Sequence, residues 1–277
     1  MSTTPNDSTN STDSNDRTPI IDAHNHVWPD KVAERALGGS VPDMDVFGDG
    51  KVSGLLAAKQ EAGVDLSVCL AVANTAAQVE TANRFIGGLD RTHFIPFGTI
   101  HPDLPAEENL AHLRANSVEG VKLHPVFQKF RLDDPKLYDV LGALAGEFPT
   151  IIHVGAGGGG DGSTCTPAML RDIVLTFPDL DVIACHFGGY HMLADAEESV
   201  IGLPVMLDTA WPPSLAALDP TEVRDLIRRH GVDKVVFSSD WPTASPKAEV
   251  EAVRALGLDD DETAAVLGGN IARVLGR

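Results

Sequence analysis

Short runs rich in Val, Ile and Leu recur along the chain, and longer segments with helical boundary signals lie between them. The runs show only weak alternation of apolar and polar residues, which is typical of parallel strands that helices cover on both faces. Eight runs of this kind predict strands at Ile20–His26, Asp65–Val72, His93–Ile100, Val118–His124, Thr150–Val154, Asp181–Phe187, Pro204–Thr209 and Lys234–Asp240.

The segments between these strands begin and end as helices do. The first ends at Gly63, and several others open with proline, which suits the first turn of a helix. The segment 29–51 is rich in Gly, Asp and Pro and is predicted to be a long loop, either a lid or binding loop or a surface excursion without a role. The predicted helices are Val52–Ala62, Ala76–Ile86, Ala106–Asn116, Pro135–Glu147, Pro167–Phe177, Thr221–His230, Pro246–Leu256, Asp260–Leu267 and Asn270–Leu275.

Strands that alternate with helices predict parallel βαβ units, and eight such units fit a closed (β/α)₈ TIM barrel, here a single domain over residues 19–277. An open doubly wound sheet is the alternative, and it would place its ligand at a single switch point. In this chain polar side chains occur at the ends of strands 1, 4, 5, 6 and 8. Because barrel enzymes collect their active-site residues in that way, the barrel is the favoured prediction.

Residues 1–18 are almost all polar, so a disordered tail is expected there. This stretch lacks the cationic start and the apolar centre of a secretory signal. No run in the chain approaches the roughly 20 apolar residues of a membrane span. The three cysteines show no CxxC spacing, and we therefore expect a reducing, cytoplasmic location.

The chain carries 40 acidic against 21 basic residues, a formal charge of -19 and a pI near 4.7. This charge disfavours nucleic acids and anionic membranes as partners. The expected partner is the small-molecule substrate of the enzyme predicted below. The composition fits either a halophilic protein, adapted to a salty cytoplasm, or an ordinary acidic enzyme. A homo-oligomer is compatible with it.

Metal-binding side chains stand at successive strand ends. His24 and His26 are two residues apart on strand 1, so both side chains face the barrel interior, as does Asp22. Several imidazoles and a carboxylate suit Zn²⁺ best, with Mn²⁺ or Fe²⁺ as alternatives. An open coordination position would hold a water and lower its pKa toward neutrality. Three further strands end in residues of the same kind, namely His153, His186 and Asp240.

These residues lie in short motifs that together resemble the amidohydrolase superfamily. The resemblance is to its amidohydrolase-related group, which contains metal-dependent hydrolases and aminocarboxymuconate-semialdehyde-type decarboxylases. The order and spacing of the motifs are specific for the superfamily and not for a substrate. The matching segments span nearly all of residues 20–277 and are 22–26 (DAHNH), 120–125 (GVKLHP), 151–155 (IIHVG), 186–189 (HFGG), 237–242 (FSSDWP) and 269–273 (GNIAR).

The resemblance implies a role for each site residue. His24 and His26 correspond to the strand-1 ligands of one divalent metal, and His153 corresponds to the strand-5 ligand. Asp240 corresponds to the strand-8 carboxylate, which contacts the metal and can take a proton from its water. His186 corresponds to the strand-6 histidine, which polarises the substrate or assists proton transfer in mononuclear relatives and ligates a second metal in others.

Lys122 leaves two alternatives open. In binuclear relatives a strand-4 lysine is carbamylated and bridges two metals. Otherwise Lys122 stays an ammonium and binds an anionic group of the substrate, which the Lys-Leu-His-Pro motif favours. His124 shares the parity of Lys122, so both can point into the barrel mouth as substrate-binding residues. Arg131 follows on the same loop and could bind a carboxylate or be a solvated surface charge.

All three tryptophans precede proline and follow strands 1, 7 and 8, which are neighbours in a closed barrel. Trp28, Trp211 and Trp241 therefore predict an aromatic wall beside the pocket, suited to a flat or apolar part of a substrate, unless they fill the barrel rim. The glycine-rich segment 155–160 matches GxGxxG. No helix follows it directly, so we predict a flexible substrate loop and not a dinucleotide site.

The leading function is hydrolysis of a small amide, lactone or ester by metal-activated water, with Asp240 as the base and His186 stabilising negative charge. The alternative is non-oxidative decarboxylation of a small unsaturated or aromatic acid, which a basic pocket around Lys122 or Arg131 would favour. A metal-binding but inactive barrel ranks last, because every site position holds a competent residue. A related phosphodiesterase is disfavoured because position 122 holds Lys where Glu is expected.

Overall fold

The structure, a computed structural model, describes residues 17–40, 46–157 and 159–277. Within these residues eight parallel strands pair in chain order: β1 (Ile21–Asn25), β2 (Leu66–Leu70), β3 (Phe94–Thr99), β4 (Gly120–Leu123), β5 (Thr150–Ile152), β6 (Val182–Ala184), β7 (Met206–Asp208) and β8 (Val235–Val236). The chain beyond β8 pairs with β1, since Ala23 N donates to Phe237 O and Asp240 N donates to His24 O, both at 2.9 Å. The predicted (β/α)₈ TIM barrel is therefore confirmed.

Helices connect the strands and cover the outside of the barrel, as a parallel sheet requires. Helix α2 ends at Gly63, whose φ of 69° is the left-handed conformation that glycine adopts freely. Among the described residues no helix is both long and apolar enough to cross a bilayer. The helices are α1 (Asp30–Ser40), α2 (Val52–Ala62), α3 (Val79–Gly87), α4 (Ala106–Ala115), α5 (Pro125–Gln128), α6 (Pro135–Leu144), α7 (Pro167–Thr176), α8 (Leu193–Ser199), α9 (Pro220–His230), α10 (Pro246–Arg254), α11 (Asp260–Ala264) and α12 (Asn270–Val274).

The register of the sheet decides which side chains face the barrel interior. Lys122 is level with Ile151, Ile151 with Ile183, and Ile183 with Met206, so these four side chains share the inner face. The apolar members of this layer belong to a cluster that fills the barrel, while a larger apolar cluster lies between strands and helices. Lys122 is the polar exception in the inner layer, directly below the barrel mouth.

The segment 29–51 differs from its predicted loop, because it contains helix α1. Ala33 in this helix is completely buried against the rest of the protein. Val32, Ala33 and Ala36 form a short apolar stripe on α1, and its burial stabilises the helix. The stripe is only about one turn long and Gly38 follows it, so the local pattern does not distinguish it from a loop. Residues 1–16 of the predicted polar tail lie outside the described residues, and Arg17 forms an ion pair with Asp65 at 2.6 Å.

Candidate metal centre

His24, His26 and Asp240 meet at the carboxyl end of the barrel. His24 Nε2 and His26 Nε2 are 3.1 Å apart. Asp240 Oδ1 lies 3.3 Å from His24 Nε2 and 3.8 Å from His26 Nε2. Ligand atoms about 2.0–2.2 Å from a zinc ion lie roughly 3–4 Å from one another. The spacing of these three side chains therefore suits one shared cation.

The hydrogen bonds behind the two histidines fix which of their nitrogens carry lone pairs. His24 Nδ1 lies 2.8 Å from Asp208 Oδ2, and His26 Nδ1 lies 3.3 Å from Leu70 O. Because these oxygens accept, each Nδ1 donates, and a neutral imidazole that donates from one nitrogen has a lone pair on the other. The two Nε2 lone pairs thus face each other, an arrangement that a cation between them would relieve.

His153 and His186 form a second pair beside the first. His186 Nε2 lies 3.2 Å from His153 Nδ1, while the outer nitrogens lie 3.0 Å from Ala210 O and 3.2 Å from Ala156 O. The carbonyl oxygens accept, so His186 Nδ1 and His153 Nε2 donate. In neutral rings the inner nitrogens, His186 Nε2 and His153 Nδ1, then each have a lone pair, and these two lone pairs face each other. Among the described residues, His153 lies against His186 and outside the close group formed by His24, His26 and Asp240.

Burial sets the charges of the cluster. It lowers the pKa of His186 to about 4 and holds the pKa values of His24, His26 and His153 well below their ordinary value. It raises the pKa of Asp240 to about 8. Near neutral pH the cluster on its own would hold neutral imidazoles and a protonated carboxyl group. A bound cation reverses the preference at Asp240, because an opposite charge favours the carboxylate.

This donor set fits a divalent metal. Metal-ligating histidines commonly donate their second N–H to a carboxylate or a backbone carbonyl, and all four imidazoles here have such a partner. His24, His26 and Asp240 could hold the metal, and the inner nitrogens of the second pair offer further imidazole ligands. Imidazole with carboxylate is a donor set for Zn²⁺, Mn²⁺ or Fe²⁺.

Three backbone conformations outside the common regions occur at this site. His186 and Asp240 both have a φ of 58°, which is rare for residues with a side chain. Gly155 has a φ of 96°, and a Cβ there would lie 2.4 Å from the backbone N and O of Tyr190. Such conformations persist where the surrounding fold enforces them, and they concentrate at functional sites.

Lys122 lies beneath the cluster and not on the cavity surface. It is completely buried, with Nζ 3.2 Å from His24 Nε2 and 3.0 Å from Cys185 Sγ. The described residues that line the cavity do not include Lys122. Its amine therefore contacts the ligand set from below, next to the lone pair that a metal would use.

A cavity of about 750 Å³ opens directly above the histidines. His24, His26, His153, His186 and Asp240 all line it. Most of the remaining wall is apolar, which is typical of small-molecule sites that orient a ligand with a few polar groups. The predicted site residues on strands 1, 5, 6 and 8 thus share one cavity.

The predicted substrate-binding residues divide into two groups. His124 and Trp28 line the cavity. The His124 ring stacks between Phe127 and His153, at centroid distances of 3.9 and 4.0 Å, and its buried Nδ1 has no hydrogen-bond partner among the described residues. The other four lie outside the cavity lining, namely Lys122, described above, and Trp211, Trp241 and Arg131.

The positions of the two tryptophans and of Arg131 explain why they do not line the cavity. Trp211 packs edge-on against Tyr190, which stands between it and the cavity. Trp241 is 1% exposed and lies so close to Gly48 that a Cβ there would meet its indole at 2.5 Å. The Arg131 guanidinium is exposed and binds Asp133 in a bidentate pair. Of the three tryptophans in the predicted aromatic wall, only Trp28 lines the cavity. Gly157, in the predicted glycine-rich loop, also lines it.

Asp208 is a site residue that the sequence analysis missed. It is completely buried at the end of β7, where Oδ2 contacts the His24 ring and Oδ1 accepts from the backbone N–H of His186 at 2.6 Å. One carboxylate thus orients residues of both histidine pairs. Its position at the carboxyl end of a strand was the available signal, since neighbouring strand ends carry the other site residues.

The family model described as Amidohydrolase matches residues 21–277 of the chain. No curated protein sequence matches it. Several solved structures share the architecture, among them a 5-carboxyvanillate decarboxylase from Sphingomonas paucimobilis. That protein is 18% identical with a TM-score of 0.71, and the match covers 94% of this chain and 99% of the other.

Two further similar structures carry ligands. A dihydroxybenzoic acid decarboxylase from Polaromonas sp. JS666, with bound manganese and 2-nitroresorcinol, is 14% identical with a TM-score of 0.69, covering 94% of this chain and 97% of the other. A probable 2-pyrone-4,6-dicarboxylic acid hydrolase from Acinetobacter baumannii, with citric acid bound, is 15% identical with a TM-score of 0.67, covering 93% and 99%. At these identities the likeness concerns the barrel fold.

Proposed function

We propose that this chain, which belongs to the Amidohydrolase family, is a metal-dependent hydrolase that cleaves a small amide, lactone or ester with metal-activated water. We assign His24, His26, His153 and Asp240 as the residues that hold one divalent metal. Zn²⁺ suits these ligands best. Mn²⁺ is the first alternative, because imidazole and carboxylate accept it and a similar structure contains manganese.

The position of Asp240 carries the proposal. Its Oδ1 lies 3.3 Å from His24 Nε2, so the carboxylate borders the volume that the facing lone pairs of His24 and His26 enclose. A divalent metal in that volume would supply Lewis acidity and a water whose pKa is lowered toward neutrality. Asp240 borders this volume and would serve there as the general base that takes a proton from the attacking water.

His186 acts in proton transfer. Its Nδ1 donates to Ala210 O, so the neutral ring has a lone pair on Nε2 and cannot donate from that atom. Burial lowers the pKa of His186 to about 4, which keeps the ring neutral at rest. The role proposed from the sequence, stabilising negative charge, therefore applies only after Nε2 has taken up a proton. The proton that Asp240 removes from the water would be the one that reaches His186 Nε2, and His186 would pass it to the leaving group, so that no net proton is taken up or released.

Decarboxylation of a small unsaturated or aromatic acid is the second candidate. Two of the similar structures are decarboxylases of aromatic acids. A basic pocket around Lys122 or Arg131 was expected to favour this reaction, and neither residue lines the cavity. Hydrolysis therefore leads. Arg35, which does line the cavity, supports the second candidate as a partner for a substrate carboxylate.

Product analysis with isotopically labelled water tests the proposal. Metal-loaded protein is incubated with a panel of lactones, esters and amides, and separately with a panel of hydroxybenzoic acids. Hydrolysis places one oxygen from the solvent in the product, whereas decarboxylation releases CO₂ and places a solvent proton on carbon. We expect labelled oxygen in a cleaved product.

The variant Asp240→Asn tests whether the measured hydrolysis takes place at the proposed metal site. It should lower kcat by roughly 10²–10⁴-fold, the usual contribution of a general base. The matched control is Asp195→Asn on α8, which changes an exposed carboxylate and should leave kcat unchanged. Release of CO₂ without any labelled product would favour the second candidate, and turnover that survives Asp240→Asn would remove both.

A further inference from the structure

The cavity continues past the histidines toward α3. The residues of α3 that line it, with Gln78 just before the helix, follow the spacing i, i+3, i+4, i+7 and i+8, which is one continuous helix face. This face is polar at its beginning and apolar toward its end. Its members are Gln78, Thr81, Ala82, Phe85 and Ile86.

Helix α1 forms the opposite wall. Val32, Arg35 and Ala36 all line the cavity, and their spacing of i, i+3 and i+4 places them on one face of α1. The end of β2 and the residues after it supply further apolar lining from Leu70 and Val72. We call the space between these faces, bounded by Val32, Ala36, Leu70, Val72, Ala82, Phe85 and Ile86, the apolar arm.

Arg35 is the one lysine or arginine among the described residues that line the cavity. In this acidic chain most arginines are paired with a carboxylate, as Arg131 is with Asp133. The described residues give Arg35 no carboxylate partner. An arginine that faces a cavity in a protein of charge -19 is therefore available to a ligand's anionic group.

We propose that the substrate is an elongated amphiphilic acid, whose apolar part binds in the apolar arm and whose carboxylate binds Arg35. The reacting group of the same molecule would lie at the histidines. The inference rests on the proposed function only in placing the substrate in this cavity. It holds for hydrolysis and for decarboxylation alike, because it concerns the part of the molecule that does not react.

The size and lining of the cavity support an elongated ligand. About 750 Å³ lies in the upper part of the roughly 300–1,000 Å³ range of small-molecule sites. An apolar surface gains free energy when an apolar ligand part covers it. The arm supplies the apolar surface, and among the described lining residues Arg35 supplies the one fixed charge away from the histidines and Asp240.

Calorimetric titration with straight-chain monocarboxylates of increasing length tests the apolar arm. Each added methylene that becomes buried should raise affinity by about two- to fourfold, up to the length of the arm. Thr81→Trp places a bulky ring in the arm from an exposed position and should abolish this dependence on length. Thr176→Trp, at an exposed position of α7 outside the cavity lining, is the matched control and should preserve it.

Titration with α,ω-dicarboxylates tests Arg35. In metal-loaded wild type the second carboxylate should raise affinity about tenfold or more over the monocarboxylate of equal length. Arg35→Gln should abolish this advantage, because it removes the partner of the second carboxylate. Arg254→Gln is the matched control, because Arg254 is exposed, lies at the end of α10 away from the cavity and also has no carboxylate partner among the described residues.

The outcomes separate this inference from the proposed function. Monocarboxylate titrations are repeated after chelator treatment, where the dependence on chain length should persist because the apolar arm contains no metal ligand. A protein that binds metal but shows no dependence on chain length overturns the apolar arm and leaves the hydrolase proposal standing. A dependence that is equal in wild type and Thr81→Trp, or a dicarboxylate advantage that survives Arg35→Gln, also overturns the inference.

Discussion

Asp208 Oδ2 lies 2.8 Å from His24 Nδ1, and this contact fixes the tautomer that directs the His24 lone pair into the site. The other oxygen, Oδ1, accepts from the backbone N–H groups of His186 and Ala210. Asp208 is thus a positioning residue for both histidine pairs.

We predict that Asp208→Asn weakens metal binding by about 10–100-fold, the usual effect of removing a hydrogen-bond partner of a ligating histidine. A chelator competition titration measures it. Asp195→Asn again serves as the control, and unchanged affinity in Asp208→Asn would show that the His24 ring is positioned without this carboxylate.

The stability of the metal-free protein should depend on pH through Asp240 and His186. Burial raises the pKa of Asp240 from 3.8 to about 8, so the folded state holds a proton that the unfolded chain releases, and stability falls as pH rises toward 8. Burial lowers the pKa of His186 from 6.5 to about 4, so its contribution is complete above 6.5 and falls as pH drops toward 4. Between about pH 4 and 6.5 these two contributions offset each other, so stability should be nearly constant there and should decline from about pH 6.5 to 8.

Urea unfolding from pH 4 to pH 8 measures the constant and the declining parts of this profile. Metal-loaded protein should lack the decline above pH 6.5, because the metal binds the ionised form of Asp240. In Asp240→Asn the decline of the metal-free protein should be smaller. A metal-free stability that rises steadily from pH 6.5 to 8 would contradict the raised pKa of Asp240.

Trp28 and Trp241 should respond differently to truncation, although both follow a strand end and precede proline. Trp28 lines the cavity, so Trp28→Ala should raise KM with a small change in stability. Trp241 is 1% exposed, and Trp241→Ala should cost about 3–5 kcal/mol of unfolding free energy. Equal losses of stability in the two variants would contradict this division.

Lys122→Met should strengthen metal binding. An ammonium 3.2 Å from His24 Nε2 repels a cation held by that atom, and unit charges about 4 Å apart interact by about 4 kcal/mol at an effective dielectric constant of 20. We expect at least tenfold tighter binding at an unchanged ratio of metal to protein. A ratio that falls from two to one would instead support a carbamylated Lys122 bridging two metals.

The repeating units of the barrel could be predicted from the sequence because each strand ends in a recognisable way. The His24–His26 pair and the residues His153, His186 and Asp240 follow apolar runs, and the carboxyl ends of parallel strands meet at one edge. The sequence thus indicates which side chains reach the barrel mouth.

The sequence does not indicate how deep a side chain lies or what covers it. Lys122 and His124 share the same parity, yet Lys122 is beneath the cluster while His124 lines the cavity. Asp208 stands at a strand end without a neighbouring motif, and its partner His24 is distant in sequence. Helix α1 depends on tertiary burial, so the sequence alone did not indicate that Arg35 lines the cavity.

Metal content per chain is the measurement that tests the central claim most directly. Mass spectrometry of the wild type after metal loading should find about one equivalent. The double variant His24→Ala/His26→Ala should retain its circular dichroism spectrum and lose this metal. Absence of bound metal in the wild type under every loading condition would contradict the account and leave a barrel without the proposed chemistry.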